Sequence, residues 1–115
     1  MPNKSINIGG EDRPVNFGRN FWIEVETLTN KTSLDIFKNF QDLLVSYKNQ
    51  SIIAYSSLKW GLYDSQKGLE PNPKFNLQQV SDWLEKDPDI IYKFWEYLNE
   101  SLPQTKKKEE ESEEK

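Results

Sequence analysis

The side chains in this chain best able to do chemistry are carboxylates, and they come in close pairs, Glu24 with Glu26 and Asp87 with Asp89. Two carboxyl groups whose environments separate their pKa values can act as general acid and general base in hydrolysis. That work requires both groups to converge on one pocket. At i and i+2 on a helix they diverge, so these pairs read as solvated faces or helix-end acids. Asp82, Glu85, Asp87 and Asp89 are dense enough to suggest a cation site, yet they lack the alternating ligands and central glycine of a calcium loop. Gly9-Gly10 is followed by no second glycine motif, Lys-Ser/Thr pair or helix start at phosphate-binding spacing, so it reads as a turn.

The rest of the catalytic repertoire is thin. The chain has neither histidine nor cysteine. The commonest general base and metal ligand are therefore missing, together with thiolate nucleophiles, disulfides and every Ser-His or Cys-His pairing. Carboxylate, Lys, Tyr or Ser chemistry remains. No catalytic residue, cofactor or metal site is assigned, and an enzyme is not expected. Absence of cysteine suits a reducing cytoplasm.

At 115 residues the chain allows one domain with a single core. Aromatic residues make up 13% of it, with four Trp and five Tyr, enough apolar area per residue to make so small a core stable. The formal charge is -4, from 15 Lys plus Arg against 19 Asp plus Glu, with the signs interspersed. No long-range field would draw the chain to nucleic acid or an anionic membrane. No stretch of roughly 18 apolar residues is present, and the N-terminus MPNKSINIGG lacks an apolar signal region. A partner is expected to be protein.

The elements that must position these residues follow from hydrophobic rhythm. Ile6, Ile8, Val15 and Phe17 alternate as in strands, and they share a face only if the loop between them has an even number of residues. Gly9-Gly10 meets that condition as a two-residue turn pairing Ile8 with Glu11 and Ile6 with Arg13. A four- or six-residue loop ending near Pro14 would keep the same face. Pro14 cannot donate to a ladder, which marks its strand as an edge.

From Phe21 the period becomes helical, with Phe21, Trp22, Val25 and Leu28 in one stripe and Asn30 as a stop. Thr32 or Ser33 caps a second helix whose face is Ile36, Phe37, Phe40, Leu43, Leu44 and Tyr47, with Leu34 and Val45 on its other side. The third segment is apolar nearly all round (Ile52, Ile53, Ala54, Tyr55, Leu58, Trp60, Leu62, Tyr63), as expected of a central helix. Gly68, Pro71 and Pro73 mark a loop from Asp64 to Phe75. Asn76 with Gln79 forms a capping box before Leu77, Val80, Trp83 and Leu84. Asp87-Pro88 opens the last helix, with the stripe Ile90, Ile91, Phe94, Trp95 and Leu98.

The expected fold is therefore α+β and mostly α. An N-terminal β-hairpin over residues 4–17 packs on a bundle of about five helices, at about 19–29, 33–48, 50–63, 76–86 and 88–101. These form a single globular domain, 1–101, and residues 102–115 form a disordered charged tail, because nothing apolar follows Leu102 to offset the cost of ordering. Lys106 to Lys108 have the composition of a nucleic-acid patch, but Glu109 to Glu111 cancel it locally and the tail reads as solubilising.

Trp22 and Trp83 lie on core stripes and Trp60 on the all-round apolar helix. The last helix has apolar surface to spare beyond Ile91, Phe94 and Leu98. Tyr92, Trp95 and Tyr97 are therefore the candidate partner-binding residues.

In order of parts the chain resembles the small tail assembly chaperones of long-tailed bacteriophages. The likeness runs from Ile6 to Leu98: an I-x-I-G-G hairpin with a Pro-Val-x-Phe strand, FGxNFWIEVE, a Thr-Asn-Lys-Thr break, two helices ending in WGLY, a Pro-rich loop and VxxWLEKDP. The resemblance implies a non-enzymatic helper in the bacterial host cytoplasm, not expected in the mature virion. It would coat and solubilise the tape measure protein and help recruit tail tube subunits around it. Many members of that family are made in two lengths through a programmed ribosomal frameshift, and the Lys106-Lys107-Lys108 codons stand where such a slip would fall.

A helper of this kind shields an apolar helical client by contact area, through an exposed strand edge or apolar groove, with no side chain required to do chemistry. Rings or filaments of the chain are compatible with that role. The competing expectation is a small adaptor or inhibitor that binds one folded partner through a compact hot spot.

Overall fold

The computed structural model describes residues 4–39, 41 and 45–102, the side chain at 37 excepted. The architecture is α+β and mostly helical. Strands β1 (Lys4–Ile8) and β2 (Glu11–Val15) are followed by α1 (Arg19–Thr29), α2 (Ser33–Lys38), α3 (Tyr47–Gly61), α4 (Leu77–Lys86), a 3-10 turn at Pro88–Ile90, and α5 (Ile91–Ser101).

The hairpin closes on the two-residue turn. Gly9 and Gly10 have φ of 65° and 88°, left-handed values that β-carbons resist, and the strands pair Ile8 with Glu11 and Ile6 with Arg13. Ile6, Ile8 and Val15 are buried on one face. Phe17 is buried just beyond β2 and meets Phe21 edge-on at 5.0 Å between ring centroids, carrying the strand's apolar face into the first helix. Gly9 sits directly on the Trp83 ring, where a β-carbon would come within 2.5 Å.

Central position belongs to α3, which is packed by α1, α4, α5 and β2. Its small residues set how close β2 can come. The Asn16 amide donates to the Ser57 carbonyl at 3.0 Å, and one turn later Gly61 lies against the Pro14 backbone with no room for a β-carbon. Around this contact Phe21, Val25, Ile52, Ile53, Leu58, Val80, Phe94 and Leu98 form the innermost core.

Helix ends follow the expected chemistry in most places. Asn30 ends α1 in the left-handed region at φ 61°, the Thr32 side chain accepts from the Asp35 amide, and Asn76 and Gln79 form the reciprocal capping box. Asp87 is different: its side chain makes no cap bond, and Pro88 opens a 3-10 turn before α5 instead of an α-helix at residue 88.

The largest departure concerns the expected second helix, 33–48. Among the described residues α2 stops at Lys38 with Asn39 as its C-cap, and Ser46 caps α3 by accepting from the Asn49 amide. The central helix therefore starts at Tyr47, three residues before the expected 50, and ends at Gly61, two before the expected 63. Tyr47, expected on the buried face of the second helix, is 84% exposed because it occupies the first turn of α3. Ile36 is buried as expected, while Phe40, Leu43, Leu44 and the Phe37 side chain lie outside the described residues. The expected tail lies outside them too from residue 103 onward, including Lys106 to Lys108.

Burial around α3 also differs in kind. Leu62 is exposed, and the buried set includes Ser51, Ser56, Ser57 and Lys59 beside the aliphatic residues. Ser57 Oγ donates to the Ala54 carbonyl, but fully buried Ser56 Oγ has no partner among the described residues.

Two substitutions in α3 are expected to act against simple helix propensity. Gly61→Ala should destabilise by about 1–3 kcal/mol through collision with the Pro14 backbone, although alanine is the better helix former. Ser56→Ala should be neutral or raise stability by up to about 1 kcal/mol, since it removes an unsatisfied buried hydroxyl. Thermal or urea unfolding of the two variants checks both signs.

Candidate functional site

Three constellations of side chains stand out, and the first is built on acids. Glu24 and Glu26 diverge on α1, as their spacing requires. Glu26 turns to the next helix, where Ser33 donates to its carboxylate through both its amide and its hydroxyl at 2.6 Å. Those two bonds hold the Glu26 carboxyl below its ordinary pKa. Glu24 turns inward and accepts from Lys59 Nζ at 3.0 Å and Trp60 Nε1 at 3.1 Å.

Lys59 is the buried charge at the centre of this cluster, 7% exposed. Its ammonium also reaches Glu70 of the loop before α4 at 2.6 Å. Burial works against the charged form, but the hydrogen bonds to Glu70 and Glu24 outweigh it, and the Lys59 pKa is raised above 10.5. A lysine nucleophile needs the opposite shift. What this group can do is tie α1, α3 and the loop together as a protonated cation.

Arg13 forms a second constellation. Its guanidinium lies 4.6 Å from the centre of the Trp83 ring and 5.3 Å from that of Phe75, and its Nε donates to the Ile8 carbonyl at 2.9 Å. The arginine clamps the hairpin turn onto α4 by stacking and hydrogen bonding. Among the described residues no group of three or more acidic side chains is placed to hold a metal ion, and no helix is long and apolar enough to cross a membrane.

The third constellation is apolar and exposed. Leu34 is 63% exposed, Val45 74% and Tyr47 84%, so the chain from α2 into α3 presents three large apolar side chains to water. Tyr47 also lines a hollow of about 390 Å³ with Gln50 and Ser51 of α3, Ser81, Leu84 and Glu85 of α4, and Pro88. Leu69, at the tip of the long loop, is exposed as well.

Of the candidate residues of the last helix, Tyr92 and Trp95 stand three apart on one flank of α5 and Tyr97 on the other. Tyr92 is 67% exposed, whereas Trp95 and Tyr97 are half-buried and pack against the core cluster. Two positions apart on a helix, Trp95 and Tyr97 flank the buried stripe of Ile91, Phe94 and Leu98 on opposite sides. Tyr97 faces the hairpin, with Lys4 Nζ 5.1 Å from its ring centre and Lys4 in turn 2.9 Å from Glu100. Sequence reasoning passed over Leu34 and Val45 even though it placed them off the second helix's apolar face, and that placement was the available signal. It also passed over Lys59, the one lysine of the expected 50–63 helix.

Comparison of the chain with protein-family models, curated proteins and solved structures returned no match.

The Lys59 cluster makes a pH-dependent prediction. Since the folded pKa is raised, its stabilising contribution is complete below the ordinary value of 10.5 and is lost as pH rises through the folded value. The difference in melting temperature between wild type and Lys59→Met should stay constant from neutral pH to about 10 and change only above it. Glu24→Gln, at the buried end, should cost about 1–3 kcal/mol, while Glu70→Gln, whose side chain is largely exposed, should cost under about 1 kcal/mol.

Proposed function

We propose that this chain is a tail assembly chaperone of a long-tailed bacteriophage, a non-enzymatic helper that binds and solubilises the tape measure protein and helps recruit tail tube subunits around it. It acts in the bacterial host cytoplasm and is left out of the mature virion. The reading starts from the order of turn, aromatic and capping motifs between Ile6 and Leu98. The single observation that carries it is that three large apolar side chains, Leu34 of α2, Val45 just before α3 and Tyr47 in its first turn, each stand exposed to water.

Adhesion accounts for how such a surface works. Each of these side chains gives about 1.5–3 kcal/mol when fully removed from water. Contacts of that size hold an apolar helix while leaving it free to be passed on. Interspersed charge around them keeps the helper itself in solution. The polar clusters at Lys59 and Arg13 are engaged in holding the fold, which leaves contact area as the means of action. Tyr92 on α5 is a further exposed aromatic side chain, and a longer frameshifted product would carry the core domain with a different C-terminus.

Co-expression with the tape measure protein of the same phage tests the reading. Wild type is expected to shift the client from pellet to supernatant. Leu34→Asp with Tyr47→Asp, both at exposed positions, should reduce the soluble client several-fold while the variant itself stays folded by circular dichroism. A client that stays insoluble with wild type would overturn the proposal, and recovery of a one-to-one complex with a folded enzyme would make the chain an adaptor.

A further inference from the structure

The two edges of the hairpin are treated differently. In a two-residue hairpin the residues flanking the turn exchange both hydrogen bonds, and the pairing then alternates along the ladder. Ile8 with Glu11, Ile6 with Arg13 and Lys4 with Val15 are thus the bonded pairs, and Asn7 with Asp12 and Ser5 with Pro14 are the non-bonded ones. The main-chain groups of the non-bonded residues point away from the partner strand.

On β2 this outward direction is directly visible. The next outward residue, Asn16, gives its amide to Ser57, and the Pro14 carbonyl lies against Gly61, so α3 covers that edge. By the same alternation, β1 turns the N–H and C=O groups of Ser5 and Asn7 to its outer side. Both residues are exposed, and neither makes a main-chain hydrogen bond on that side among the described residues.

Free edges are normally guarded by proline, a bulge or a charge in mid-strand. Here the proline stands on β2, whose edge α3 already covers. Strand β1 reads Lys-Ser-Ile-Asn-Ile, with a single charge at its far end that is held by Glu100. The Asn7 side chain is drawn toward β2 by its 2.9 Å bond to Asp12, so it does not screen the edge.

We propose that this edge pairs with a second copy of the chain, β1 against β1 in antiparallel register about a two-fold axis at Ile6, joining two hairpins into one four-stranded sheet. Ser5 of each copy then lies opposite Asn7 of the other, and all four outward donors and acceptors of each strand are matched. Ile6 meets its own counterpart on the core-facing side. The two Lys4 side chains fall at opposite ends, roughly 13 Å apart along the strands, so no like charges are opposed. A second copy supplies this match without any further sequence requirement. The inference stands apart from the client reading, and either can fail alone.

Sedimentation of the full chain over a concentration series tests it. Wild type should rise from 13.6 kDa toward twice that mass. Ser5→Pro and Asn7→Pro remove outward donors at non-bonded positions, as Pro14 does on β2, so the hairpin ladder is kept. Each should weaken self-association about tenfold. Asn7→Lys, which places a charge in mid-edge without altering the backbone, should do the same if the prolines disturb folding. Hydrogen exchange at the Ser5 and Asn7 amides should slow with protein concentration. A chain that stays monomeric throughout, or a dimer equally tight in all three variants, would overturn the proposal. So would amide protection that arises only when another protein is added, which would give the edge to a client strand.

Discussion

The fold turns on the near-contact between the backbone of β2 and the small-residue side of α3. A two-stranded hairpin has too little area to be stable alone, and it gains that area here only because Ser57 and Gly61 let a strand lie directly on a helix. The Asn16 to Ser57 hydrogen bond satisfies a group that the strand's outer edge would otherwise leave open. Once β2 is fixed there, Ile6, Ile8 and Val15 face inward, Arg13 reaches Trp83 and Phe75, and Gly9 settles onto Trp83. The turn glycines matter for their positive φ, and Gly9 also for the absence of a side chain above an indole.

A second constraint is electrical. A single ammonium inside the fold would cost several kcal/mol if left unpaired. Lys59 is supplied with carboxylates from two directions, one nearly buried on α1 and one at the rim on the long loop. The Trp60 indole shares the inner carboxylate, so the same oxygen fixes two neighbouring side chains of α3. Polar groups of this kind give the core a specific arrangement that apolar packing alone leaves freer.

Features written in local chemistry were legible in the sequence: the Gly9-Gly10 turn and its register, the Asn30 stop, the Thr32 cap, and the Asn76–Gln79 box. Each depends on residues within a few positions of one another. What escaped depends on neighbours far along the chain. Tyr47 fits the period of the preceding segment, yet Ser46 claims it for α3. Lys59 owes its burial as a cation to Glu24 and Glu70, which lie 35 and 11 positions away. Trp95 and Tyr97 flank the buried stripe of the last helix as their spacing requires, but how far each is covered depends on distant neighbours, and only Tyr92 stands well out in solvent. The exposed apolar side chains on which the functional reading rests include Leu34 and Val45, which the helical period already puts off the buried face of the expected second helix.

The hairpin lies at the start of the chain, but its supports come late. β2 rests on α3, Arg13 on Trp83, and Lys4 on Tyr97 and Glu100. A nascent polypeptide emerging from the ribosome cannot make the last of these until its hundredth residue has left the exit tunnel. The hairpin therefore gains its supports in steps, first from α3, then from α4 and last from α5. Docking of the hairpin is complete only when residues near both ends of the described chain close on each other.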